Sequence, residues 1–142
     1  MTRGTAAFRR EPSRGKRLFL VVSQTRPVTQ RPVFVLHEHD KPRHHFDLRL
    51  EEDGVLRSWA VPKGMPDDVR RDRLAVPDAD HALDHASYTD ADKRIADEGW
   101  WELEDRNERR FVFVLHGRGC PRRYALIATG SDWLVHLTRD QP

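Results

Sequence analysis

Four of the eight histidines fall between positions 37 and 45, in His37-Glu38-His39-Asp40-Lys41-Pro42-Arg43-His44-His45, which runs on into Phe46-Asp47-Leu48-Arg49-Leu50. In an extended chain side chains alternate, so His45, Asp47 and Arg49 share one face and Phe46, Leu48 and Leu50 the other, with same-face neighbours about 7 Å apart. An imidazole and a carboxylate two apart on a strand can reach one divalent cation, and His39, across the Lys41-Pro42 turn, is the natural third ligand. Nitrogen and carboxylate donors without thiolate suit manganese or zinc better than iron-sulfur or copper(I). Arg49 cannot ligate a cation, but its fork of donors fits the oxygens of a phosphate held by that metal. Taken singly, each residue has a plainer reading: a strand histidine is more often a half-exposed neutral side chain, and Asp47 with Arg49 an exposed pair worth at most about 1 kcal/mol. All four together, on one face of one hairpin, favour the site. His37 and His44 stay open; His44 points away from His45 and fits simple solvation.

A second cluster lies at Asp80-His81-Ala82-Leu83-Asp84-His85. A histidine beside a metal-bound phosphoryl group can protonate the leaving oxygen or hydrogen-bond the equatorial oxygens. On a helix, His81 and His85 would share a face and admit a second metal site, although Pro77 and the poor helix texture argue against one. His116 and His136, near ends of apolar runs, read as structural.

The elements that must position these groups belong to a short chain. With 142 residues, 37% hydrophobic and 34% charged, one compact domain is expected. No apolar run approaches the roughly 20 residues needed to span a bilayer, and the amino terminus lacks the apolar block of a secretory signal, so a soluble, cytoplasmic protein without a membrane partner is expected. The single cysteine, Cys120, excludes an internal disulfide framework and a cysteine-cluster zinc site. The net charge of +2 divides unevenly: residues 1–31 carry eight Lys or Arg and one Glu, a net of +7, and the rest seventeen basic and twenty-two acidic residues, a net of −5. Such an arm favours an anionic partner, nucleic acid first, because basic side chains displace counterions condensed on phosphates; a solvated tail is the alternative.

The sequence predicts a flexible basic arm over 1–16 and a domain over 17–142, opening with the apolar run Leu18 to Val22. Strand texture follows at Val33 to His37 and Phe46 to Glu52. Asp53-Gly54 then predicts a type I′ hairpin with Val55 to Val61, because both central positions of that turn need positive φ. Pro62, Gly64 and Pro66 open a charged, loop-rich section. Thr89 to Glu98 is expected as a short helix, with Thr89 as N-cap and Gly99 as stop. Strands resume at Trp100 to Leu103, Arg110 to Leu115, Tyr124 to Thr129 and Trp133 to Leu137. The pattern predicts a mainly β protein, an antiparallel sheet or barrel with one or two short helices.

The run from His39-Asp40 through His45-Phe46-Asp47-Leu48-Arg49-Leu50-Glu51, then Gly54-Val55-Leu56-Arg57-Ser58-Trp59-Ala60-Val61-Pro62-Lys63-Gly64, resembles the signature of the 3′-phosphoesterase domain of bacterial DNA ligase D. The likeness continues through Leu74-Ala75-Val76 and Asp80-His81-Ala82-Leu83-Asp84, and more weakly to Trp133-Leu134, covering about 32–137. It implies a small β-barrel and a manganese-dependent end-healing hydrolase of non-homologous end joining. Such an enzyme trims a 3′-terminal ribonucleotide to a 3′-phosphate and then removes that phosphate. It implies His39, His45 and Asp47 as metal ligands, and Arg49 and His81 on the scissile phosphate. His85 stands where the family commonly has a tyrosine supporting phosphate chemistry, and an imidazole there is expected to change charge near neutral pH. His37 stands where glutamine is usual. A glycine-rich loop with a Pro-Glu-Gly segment is replaced by the polar stretch Thr89 to Gly99, and Phe8-Arg9-Arg10-Glu11-Pro12 only faintly resembles the family's amino-terminal motif.

The expected partners are DNA or RNA 3′ ends, tracked by Arg9, Arg10, Arg14, Lys16 and Arg17, together with a separate ATP-dependent ligase and polymerase. Two alternatives remain beside an end-healing phosphoesterase. One is a catalytically weakened module that binds nucleic-acid ends and keeps the metal site; the other is a phosphoesterase for small phosphodiesters.

Overall fold

The structure, a computed structural model, describes residues 31–142, and the chain divides into Met1–Arg31 and Pro32–Pro142. The expected boundary at 16/17, the apolar run Leu18 to Val22 and the arm cations Arg9, Arg10, Arg14, Lys16 and Arg17 lie outside the described residues. Residues 32–142 form a closed antiparallel barrel of eight strands: β1 (Val33–His39), β2 (His45–Glu52), β3 (Val55–Val61), β4 (Arg73–His81), β5 (Lys93–Asn107), β6 (Arg110–His116), β7 (Arg122–Ala128) and β8 (Trp133–Leu137). Around the barrel the order is β1-β2-β3-β4-β8-β7-β6-β5, with β5 pairing back onto β1. Closure pairs both ends of the sheet, and the part of β4 that β8 does not reach is left open.

Alternation produces the interior. Phe34, Leu48, Leu50, Trp59, Val61, Phe113, Leu115, Leu126 and Val135 belong to one buried apolar cluster. Trp101 joins them and satisfies its indole N–H on the Glu51 carbonyl at 3.0 Å. The β2–β3 hairpin turns where expected: Asp53 (φ 54°) and Gly54 (φ 83°) both take positive φ, as a type I′ turn demands. Gly supplies that conformation freely and Asp tolerates it.

Two sequence expectations are corrected. The charged section after Pro62 contains a strand, β4, in which Ala75 alone is buried. Its pattern is weak because β8 covers only Arg73 to Ala75; beyond that point β4 is an edge, where Pro77 is tolerated opposite Trp59. The helix expected over Thr89 to Glu98 does not form either. Asp90 and Lys93 exchange backbone hydrogen bonds of 3.0 and 3.3 Å, and the Asp90 carboxylate accepts the Asp92 N–H at 2.8 Å. That local turn competes with helix nucleation. From Lys93 the chain joins the free edge of β1, and tertiary pairing overrides capping propensity. Gly99 is therefore no helix stop: β5 passes so close to β6 there that a Cβ would lie 1.9 Å from the His116 carbonyl oxygen. The helix present among the described residues is the 3-10 segment Leu83–Ser87.

Candidate functional site

The register brings the chemistry together. Across β1 and β2, His39 opposes His45 and His37 opposes Asp47; across β2 and β3, Arg49 opposes Ser58; across β1 and β5, Lys93 opposes His39. Directly opposed residues share a face, so β5, β1, β2 and β3 build one polar patch on the outside of the barrel. A bulge in the β1–β5 pairing falls between Leu36 and His37, beside the site. The segment Leu83–Ser87 packs on β1 and β3, and His81 ends β4 opposite Leu56. The patch is consequently not displayed to solvent: Asp47 is 3% exposed, Arg49 2% and His37 0%.

His39, His45 and Asp47 each offer one ligand atom, all within 4.8 Å of one another. Asp47 Oδ2 lies 3.2 Å from His45 Nε2 and 3.8 Å from His39 Nδ1. His45 Nδ1–H donates to the Arg43 carbonyl at 2.7 Å, an oxygen that only accepts, so Nε2 turns its lone pair to the cluster. Nε2 and the Asp47 oxygen face each other across 3.2 Å with His39 Nδ1 beside them, an arrangement in which one cation can be shared. The donors fit a divalent metal ion at this point.

Arg49 is fixed on three sides. Its Nε donates to His37 Nδ1 at 3.2 Å, Nη1 to Ser58 Oγ at 2.8 Å, and Nη2 lies 3.3 Å from Asp47 Oδ2. Burial pulls its pKa down while the Asp47 and Asp78 carboxylates push it up, and the guanidinium stays charged. His37, left open by the sequence, is the residue that reasoning missed. Its Nε2–H donates to the Tyr88 carbonyl at 2.9 Å, leaving Nδ1 to accept from Arg49. Burial, with Arg49 and Lys93 adding, lowers its pKa to about 4, against the raising effect of the Tyr88 carbonyl, so it acts as a neutral bracket. Its position opposite Asp47 on the metal-site face was the signal available in the sequence.

His81 and His85 come together, but not on a helix. Their rings stack at 4.4 Å and 19°, and His85 stacks in turn on Tyr88 at 5.0 Å. Stacked rings do not aim two lone pairs at one ion, and among the described residues the single metal-ligating group is His39, His45 and Asp47. His85 Nε2 is moreover engaged by the Lys93 ammonium at 3.2 Å. Burial first, then Arg49 and Lys93, lowers the His85 pKa to about 4, so the expected charging near neutrality gives way to a neutral ring. The same causes lower His81. Elsewhere, exposed His44 pairs through Nε2 with half-buried Glu38 at 2.6 Å, His116 stacks on Trp100 at 3.8 Å and bonds Glu102, and His136 bonds Asp72. These three lie outside the cluster.

A closed antiparallel β-barrel with a His-His-Asp group and a buried arginine on its outer wall has the makings of a metal-dependent phosphoryl site. The sequence comparisons supply the family. The family described as the DNA ligase D 3′-phosphoesterase domain matches residues 37–128, and the chain belongs to that family. It is 39% identical over 129 residues to the "multifunctional non-homologous end joining protein LigD" of Mycolicibacterium smegmatis, covering 76% of this chain and 17% of that protein. Against the "multifunctional non-homologous end joining DNA repair protein LigD" of Mycobacterium tuberculosis identity is 38% over 135 residues, covering 84% of this chain and 18% of the relative. Against the Pseudomonas aeruginosa protein it is 36% over 126 residues, 75% and 15%. The chain thus spans less than a fifth of the length of these curated relatives. No helix among the described residues is long and apolar enough to cross a membrane.

Proposed function

We propose that the protein is a metal-dependent phosphoesterase that heals the 3′ ends of DNA or RNA, removing a 3′-terminal ribonucleotide and then the 3′-phosphate, in end-joining repair alongside ATP-dependent ligase and polymerase activities. The observation that supports this best is the convergence on Asp47 Oδ2 of His39, His45 and Arg49, three ligand atoms and a phosphate-binding fork at one point. His39, His45 and Asp47 would hold the ion, for which manganese suits the donors and zinc or cobalt are alternatives. When bound, such an ion polarises a phosphoryl oxygen as a Lewis acid. Arg49, braced by His37 and Ser58, holds its fork toward the nonbridging oxygens without having to reorganise. His81 and His85, kept neutral by burial and the two neighbouring cations, can donate N–H groups to the phosphate. The cations of the amino-terminal arm, Arg9, Arg10, Arg14, Lys16 and Arg17, would track the strand backbone.

The test is a primer tipped with one 3′-ribonucleotide, incubated in manganese. The expected products are the shortened 3′-phosphate strand and then the 3′-hydroxyl strand, and His45→Ala loses both with folding intact. Binding of ends with no product in any divalent metal would favour the weakened end-binding module instead. Turnover of a small phosphodiester without salt-sensitive DNA binding would favour the small-substrate reading.

A further inference from the structure

Lys93 reaches the site from the turn that replaces the expected helix. Opposed to His39 across β1 and β5, it stands on the metal-site face and is only 8% exposed. An ammonium has three donors. Among the described residues the hydrogen-bond partner of Lys93 Nζ is His85 Nε2 at 3.2 Å, with the Tyr88 ring 5.5 Å away. No described carboxylate pairs with it within 4.0 Å. A buried ammonium with donors to spare is destabilising unless something else occupies them.

The charges around it point the same way. Lys93 bonds to His85, the His85 ring meets the His37 ring edge-on at 5.4 Å, and His37 holds Arg49 at 3.2 Å, so the two cations flank a pair of imidazoles. His37, His81 and His85 are all neutral for want of solvent and because Arg49 and Lys93 are near. Asp47 is the one buried carboxylate among these groups, and it faces Arg49 and the two ligand histidines. The Asp78 and Asp90 carboxylates also act on these cations, but from exposed positions that water screens, so the desolvated space itself keeps an excess of positive charge, two cations to one carboxylate, before any metal is counted. A terminal phosphate, a dianion with three nonbridging oxygens, answers that excess better than a diester, a monoanion with two.

We propose that Lys93 is a phosphate-binding residue of this site, sharing the nonbridging oxygens of one phosphoryl group with Arg49 and favouring the dianion of a terminal phosphomonoester. This rests on the phosphoesterase reading for its substrate but not for its binding chemistry. The test compares the wild type with Lys93→Met and Lys93→Arg on two primers in manganese, one ending in a 3′-phosphate and one in a 3′-ribonucleotide. Inorganic phosphate binding is followed by NMR titration, manganese binding by electron paramagnetic resonance and folding by thermal melting. In Lys93→Met, phosphate affinity is expected to fall about tenfold or more, the 3′-phosphate primer to lose more turnover than the ribonucleotide primer, and manganese affinity to hold; Lys93→Arg is expected to recover part of both losses.

Unchanged phosphate affinity and unchanged rates in a folded Lys93→Met would overturn the proposal. If Lys93→Met does not fold, the wild type decides: phosphate must shift the Lys93 Nζ resonance, and silence there overturns the proposal equally. A wild type that binds phosphate in a Lys93-dependent way yet cleaves neither primer would sink the phosphoesterase reading and support the binding site.

Discussion

The two faces of β2 are buried to almost the same degree and for opposite reasons. On the inner face Leu48 and Leu50 are 0% and 1% exposed; on the outer face Asp47 and Arg49 are 3% and 2%. The inner residues lose water and gain apolar contacts, each worth about 1.5–3 kcal/mol to the fold. The outer residues lose water too, but a buried ion pair at best breaks even, because the Coulomb gain barely offsets desolvation. Burial therefore means stability on one face and preorganisation on the other. The outer groups are held by His37, Ser58 and the Arg43 carbonyl in a geometry that pays off when a cation and a phosphate arrive.

The largest predicted effect breaks the outer face alone. Asp47→Ala is expected to lower end cleavage by about a hundredfold or more, with manganese binding lost in the same preparation, while the urea midpoint shifts far less than for a core substitution. Leu48→Ala should do the reverse: about 2–5 kcal/mol of stability is lost in urea unfolding, and the rate per folded molecule is kept. A Leu48→Ala protein that unfolds no more easily than the wild type would end the distinction between the faces.

A sharper cut removes a brace and not a ligand. His37→Ala frees Arg49 Nε, and about a ten- to hundredfold loss of kcat is expected with manganese affinity little changed. His37→Gln can keep an acceptor for Arg49 and a donor for the Tyr88 carbonyl, and should restore most of the rate. Equal activity in Ala and Gln would show that Arg49 needs no bracket.

Smaller effects concern pH and the rim. Burial, with Arg49 and Lys93 adding, holds the His85 pKa down at about 4, against 6.5 for an ordinary imidazole. Between those values the unfolded chain takes up a proton that the folded one refuses, so stability is present above about 6.5 and lost as pH falls toward 4. His85→Gln should flatten that decline by up to one proton in urea titrations at pH 7, 5.5 and 4.5. Last, His44→Ala removes a rim pair with Glu38 and an edge-on ring contact with Phe46 and should change stability by about 1 kcal/mol at most and activity not at all.

Much of this was legible in the chain. The period-2 alternation at Phe46-Asp47-Leu48-Arg49-Leu50 separated the two faces of β2, and Asp53-Gly54 specified the turn, because pleat and φ are set by the residues themselves. The trio His39, His45 and Asp47 was legible for the same reason: its members are joined by one short hairpin. What could not be read is carried by long-range pairing. β4 has weak alternation because half of it is an edge, and Lys93 to Glu98 has helix-like signals that count for nothing once the free edge of β1 offers a full ladder of hydrogen bonds.

By itself, then, the sequence determined a β-rich antiparallel domain, the hairpin, the grouping of His39, His45 and Asp47 and the arginine two residues beyond Asp47, since all follow from local geometry and residue chemistry. Only the tertiary structure decided that β5 closes on β1, that Lys93 enters the site beside His85, that His37 braces Arg49, and that burial and nearby cations lower the pKa values of His37, His81 and His85. Those outcomes depend on which groups from distant segments share a desolvated space. Burial and the field of neighbouring charges are properties of that space and not of any residue within it.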